Sequence, residues 1–121
     1  ADVVTAGIPI SPLSYLEPVR LTEALNAGIG MTAAEAESQS PMVNHPPLTN
    51  APQLVAVGGN ETDEFHRQAQ MYVDAFSSGD RSMEIYIVPD ADHFDELNVL
   101  AEPNSPFFSK TLDILKSTNK F

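Results

Sequence analysis

The chain has 121 residues, a length that fits one compact domain, and 42% of them are hydrophobic, enough to build a core. Seventeen acids against six bases give a net charge of −11, a field that repels nucleic acid and anionic membranes. Zero cysteines exclude disulfides, thiolate metal sites and a cysteine nucleophile.

The opening Ala1-Asp2-Val3-Val4 has no basic n-region, so it does not read as an intact signal peptide; a cytoplasmic location is the expectation and secretion the alternative, since a lack of cysteines fits both compartments. No apolar run approaches the roughly 18 residues of a membrane span. Residues 3–10, Val-Val-Thr-Ala-Gly-Ile-Pro-Ile, are apolar without alternation, which predicts a parallel strand covered on both faces. Such a strand is interior, so a neighbour on one side is expected from outside these residues. Glu17-Pro18 suits a first helical turn, with Val19, Leu21, Ala24 and Leu25 as a rough apolar face. The Thr32–Glu35 spacing is that of a capping box, and the helix it opens should stop near Ser40-Pro41. Four prolines in 41–52 predict an extended loop tied to a surface.

Residues 53–58, Gln-Leu-Val-Ala-Val-Gly, form the clearest strand, ended by Gly58-Gly59. A helix over about 63–77 should turn Phe65, Ala69, Tyr72, Val73 and Phe76 inward, with Gly79 placed to end it. Residues 83–88 read as the next strand, and Ser105-Pro106 as an N-cap with proline at the first helical position. The expected fold class is therefore α/β, with about three parallel strands and flanking helices.

In open α/β sheets, ligands bind beyond the carboxyl ends of the strands. Two acidic loops occupy that end, one from Gly58 to Glu64 and one from Pro89 to Glu96 with His93 inside it. Adjacent strands would bring a carboxylate of the first against the imidazole of the second, the base-and-orienter half of a catalytic triad. Glu61 and Asp63 are the rival acids, and a helix N-cap is the structural reading of Asp63. His45, in the proline-rich loop, and His66, on a helix, have no partner at i+4. The acids around His93 lack a calcium-loop pattern, so no metal is expected.

Four segments carry a family resemblance. Tyr15-Leu-Glu-Pro-Val19, the run 35–42 with its Ser40-Pro41, Val57-Gly-Gly-Asn-Glu61-Thr-Asp-Glu-Phe-His-Arg-Gln-Ala69 and Val88-Pro-Asp-Ala-Asp-His93-Phe94 resemble, in chain order, segments of the kynurenine formamidase (arylformamidase) branch of the α/β-hydrolases. The resemblance implies that residues 1–121 form a single C-terminal segment of an α/β-hydrolase domain. It implies a serine hydrolase of esterase or amidase type in which His93 is the catalytic histidine and Glu61 the acid. No Gly-x-Ser-x-Gly elbow is present, so the serine would belong to an N-terminal part acting as partner, and this chain alone would be inactive. No cofactor is needed; the substrate would be a small ester or amide, formamide-like, and a homo-oligomer is possible. The alternative is a non-catalytic α/β domain, derived from a hydrolase and used for binding or assembly.

Overall fold

The computed structural model describes residues 3–118. Seven helices and two strands follow in order: α1 (Glu17–Leu21), α2 (Glu23–Ile29), α3 (Ala33–Gln39), α4 (Pro41–Asn44), β1 (Gln53–Gly58), α5 (Asp63–Phe76), β2 (Met83–Val88), α6 (Asp95–Ala101) and α7 (Pro106–Ser117). β1 and β2 pair in parallel, with Gln53 opposite Met83 and Gly58 opposite Val88. None of these helices is long and apolar enough to cross a membrane.

The expected three strands are corrected to two. Residues 3–10 do run alongside β1, but only as isolated parallel bridges, Gly7 to Gln53 and Ile10 to Ala56. The hydrogen bonds explain why. Gly7 N–H donates to Pro52 O, Leu54 N–H to Gly7 O, Ala56 N–H to Pro9 O and Ser11 N–H to Ala56 O, at 2.8–3.0 Å. The rung missing from this parallel series is the one Pro9 would donate, and proline has no N–H. The apolar composition of 3–10 said "strand" correctly as to direction and neighbour; Pro9 breaks the ladder.

Alternation along β1 divides the core. Leu54 and Ala56 pack with Val88, Ala91 and Phe107, against which Ile8, Ile10, Tyr86 and Ile114 lie. Val55 and Val57 face the other way onto Ala69, with Phe65, Tyr72 and Val73 of α5. The sheet therefore has α5 over one face and α7 over the other, and β1 is buried on both, as its unbroken apolar run requires. Burying Phe107 alone, which is 0% exposed, stabilises the fold by roughly 2–3 kcal/mol.

The helices before β1 form an arm held by a few buried polar groups. Thr32 and Glu35 complete the capping box of α3. Buried Ser40 accepts from Leu16 N–H and donates to Ala36 O. Buried Gln68 of α5 accepts from Tyr15 N–H and donates to Tyr15 O, tying the arm to the sheet unit. The helix expected from Glu17 is interrupted at Thr22, which is extended and donates its hydroxyl to Pro18 O. The inward face expected of Leu21 and Leu25 is corrected: both are exposed, and α2 has no buried residue. Gly30 ends α2 in the left-handed conformation at φ 68°. α5 ends at Phe76, before Gly79. A short α4 occupies the start of the expected proline loop, and Arg81 clasps its remainder through Pro47 O and Thr49 O.

Candidate functional site

Close approach of two loops builds the site. At the end of β1, a Cβ on Gly58 would stand 2.5 Å from the carbonyl oxygen of Ala91, so only glycine lets the loop after β2 lie directly on this strand end. Gly59 N–H donates to Val88 O, Asn60 N–H to Ala91 O, and the Asn60 side-chain amide to Asp90 O. Asp90 turns the chain at φ 58°. Asp92 then accepts from the N–H groups of Phe94 and Asp95, starting α6. Those two bonds hold the Asp92 carboxyl below its ordinary range.

His93 stands between these constraints. Its Nδ1 is 2.7 Å from Oε1 of Glu61; the Glu61 side chain is 1% exposed and that of His93 50%. Phe65 lies against the ring at 4.9 Å between centroids, and Phe94 meets it edge-on at 5.6 Å. Nε2 makes no hydrogen bond among the described residues, and His93 lines a shallow depression of about 210 Å³ with Asn60, Thr62 and Phe94. The second Glu61 oxygen accepts from Gly58 N–H at 2.7 Å and from the Ser11 hydroxyl at 2.5 Å. Burial acts to raise the Glu61 carboxyl, but the bonds from Ser11, Gly58 and His93 outweigh it and hold the group below the ordinary carboxylate range. Glu61 is thus ionised, a carboxylate only accepts, and the hydrogen of the pair sits on Nδ1.

Asp63, the rival acid, occupies the first position of α5; Thr62, not Asp63, is the N-cap. It makes no hydrogen bond to His93 among the described residues. His45 follows α4, and its Nε2 lies 3.1 Å from the Ser38 carbonyl oxygen. The His66 side chain makes no hydrogen bond among the described residues.

Two members of the cluster carry no signal in the loop reading. Ser11 follows the 3–10 segment at the same carboxyl end, buried and at φ 43°. The end-of-strand rule applied to that segment would have found it. Glu96 sits in the first turn of α6, fully buried, with its Oε2 2.7 Å from Ser11 Oγ. An acid among Asp92, Asp95 and Glu96 reads as solvated, and no sequence pattern distinguishes it. Glu61, His93 and Glu96 bring one donor atom each within 4.8 Å of one another. Ser11 already bridges both carboxyls, so the group is closed by its own hydrogen bonds and we assign it no metal.

No family model matches the chain, and no curated protein does. Among solved structures, it is similar to a Silicibacter sp. tm1040 protein described as "a putative thioesterase": 32% identity, TM-score 0.65, over 86% of this chain and 37% of that one. The chain thus spans a little over a third of the protein it matches. This finding corrects the expected membership of the arylformamidase branch of the α/β-hydrolases, with its esterase or amidase activity and its share of a Ser-His-acid triad. The four quoted segments are short and consist of strand ends, turns and the ends of helices α1, α3 and α5. Those positions are dictated by local geometry, so short matches there report backbone shape rather than substrate chemistry.

Proposed function

We propose that this chain is part of a hydrolase that cleaves a thioester, with His93 as the proton-transfer group and Glu61 as the residue that orients it. The observation that carries the reading is the 2.7 Å bond between a half-exposed imidazole and a carboxylate buried at 1% exposure. The likeness to a protein described as a thioesterase supplies the substrate class. Because the chain spans 37% of that protein, we propose that residues 1–121 contribute one segment of a longer catalytic unit.

The geometry suits both halves of thioester hydrolysis. Nε2 accepts a proton from water as the water oxygen bonds to the acyl carbon, while Glu61 stabilises the imidazolium that forms. The C–S bond then breaks, and Nε2 returns the proton to the departing sulfur, giving acid and thiol from thioester and water. Phe65 and Thr62 also border a second, apolar depression of about 360 Å³ with Leu13, Val19 and Leu25, which suits an apolar acyl group.

Thiol release from a series of acyl thioesters, set beside matched oxygen esters and formamides, tests this in the complete protein. Turnover of thioesters that His93→Ala abolishes is the expected result. Equal rates for wild type and His93→Ala, or preference for the formamides, would overturn the reading.

A further inference from the structure

Ser11 presents a problem of hydrogen counting. Its hydroxyl lies 2.5 Å from Glu61 Oε2 and 2.7 Å from Glu96 Oε2, and both approaches are hydrogen-bond contacts. A hydroxyl has one hydrogen, so it donates to one carboxyl only and must accept from the other. Glu61 also accepts from Gly58 N–H and from His93, an arrangement suited to an anion. Glu96 has no such support: its other oxygen, Oε1, is buried without a partner. An ionised Glu96 would set a charged oxygen against a Ser11 lone pair and leave a second one bare in the interior, at a cost far above that of a bare neutral carbonyl.

We propose that Glu96 is a neutral carboxylic acid that donates its proton to Ser11, so that the Ser11 hydrogen is fixed toward Glu61 and Glu61 toward His93. Glu96 is then a positioning residue. The order is Glu96 O–H to Ser11 Oγ, Ser11 O–H to Glu61 Oε2, and His93 Nδ1–H to Glu61 Oε1. Every hydrogen has one donor and one acceptor.

The surroundings agree. Burial raises the Glu96 carboxyl, the charge and close approach of the Glu61 carboxylate add to the rise, and the Ser11 bond and the His93 charge offset it in part. Glu61 from the loop after β1 and His93 from the loop after β2 are the titratable groups that face it; Ser11 faces it from the segment before α1. Ser11 itself is held at φ 43° by its N–H bond to Ala56 O, a conformation costing a non-glycine residue of order 1–3 kcal/mol and kept where surrounding structure imposes it.

The state of Glu96 does not depend on the hydrolase reading, and its test does not use activity first. In the complete protein near neutral pH, wild type should show the infrared band of a protonated carboxyl, shifted in D2O and missing from Glu96→Gln. Glutamine keeps the shape and a donor toward Ser11, so the variant should fold. The pH dependence follows from the raised value. A raised carboxyl contributes its stability in full below the unfolded value and loses it as pH rises through the folded one. The stability of wild type relative to Glu96→Gln should therefore fall as pH rises from the ordinary carboxylate range toward neutral. Lack of the infrared band, or a relative stability that rises with pH, would show Glu96 ionised and overturn the proposal. If the band is present and no thioester is turned over, the proton assignment stands and the function fails.

Discussion

The carboxyl end of the sheet and the helical arm before β1 each hold a histidine, and they use it differently. His93 meets a buried carboxylate that itself accepts from Ser11 and Gly58. His45 follows α4 and touches a backbone carbonyl. The acid nearest in style on the arm, Glu35, is spent on the N–H and hydroxyl of Thr32, and those two bonds hold it below its ordinary range. A histidine therefore takes its chemistry from what its partner is bonded to in turn: a fixed, desolvated anion at the sheet end, an exposed local bond on the arm.

The strongest way to break that comparison is to remove both imidazoles in turn. His93→Ala should cut thiol release by roughly 10²–10⁴-fold, the size of a general acid–base contribution, with melting little changed because the ring is half exposed. His45→Ala should leave turnover unchanged; comparable losses in both would end the distinction.

Next in size is Glu61→Gln. A glutamine must point its NH₂ at His93 Nδ1–H or at the donors Ser11 and Gly58, so one donor always faces another. Turnover should fall by roughly 10²-fold by the same acid–base reasoning, and that of Asp63→Asn by far less. The variant should also lose an acid-side stability. The Glu61 carboxyl lies below its ordinary 4.5 in the folded state, so its contribution is present above that value and lost as pH falls through the lowered one. Melting curves from neutral pH downward should show wild type and Glu61→Gln converging. A gap that widens on acidification would contradict the assignment.

Gly58→Ala sharpens the comparison from the backbone. Its Cβ would fall 2.5 Å from Ala91 O, so the His93 loop must lift, costing about 1–3 kcal/mol as overpacking does and lowering turnover as well. Gly28→Ala on α2, where a Cβ meets nothing within 4 Å, should instead gain a few tenths to about 1 kcal/mol. The smallest effect belongs to the arm's apolar face: Leu25→Ser, at a side chain 52% exposed, should move stability by no more than about 0.5 kcal/mol.

Much of the fold was legible because its signals are local. The β1 and β2 boundaries, the Thr32 capping box, the Ser105-Pro106 start of α7 and the inward face of α5 follow from side-chain period and cap chemistry within a few residues. The juxtaposition of Glu61 and His93 was also readable, since parallel neighbours bring their carboxyl-end loops together. Their short segments did not carry the family, and the matched protein extends well beyond the 37% of it that this chain covers.

Sequence by itself determined the two strands, the Thr32 and Ser105 caps, the charge and the pair of loops that face one another. It also contained the reason the third strand fails, Pro9, although composition outweighed it. Tertiary structure alone decided which acids are buried. Glu96 and Asp95 are adjacent in the same helical turn, yet one is sealed beneath Ser11 and the other exposed. Solvation is a property of what covers a group, and that cover comes from Ser11, 85 residues earlier in the chain.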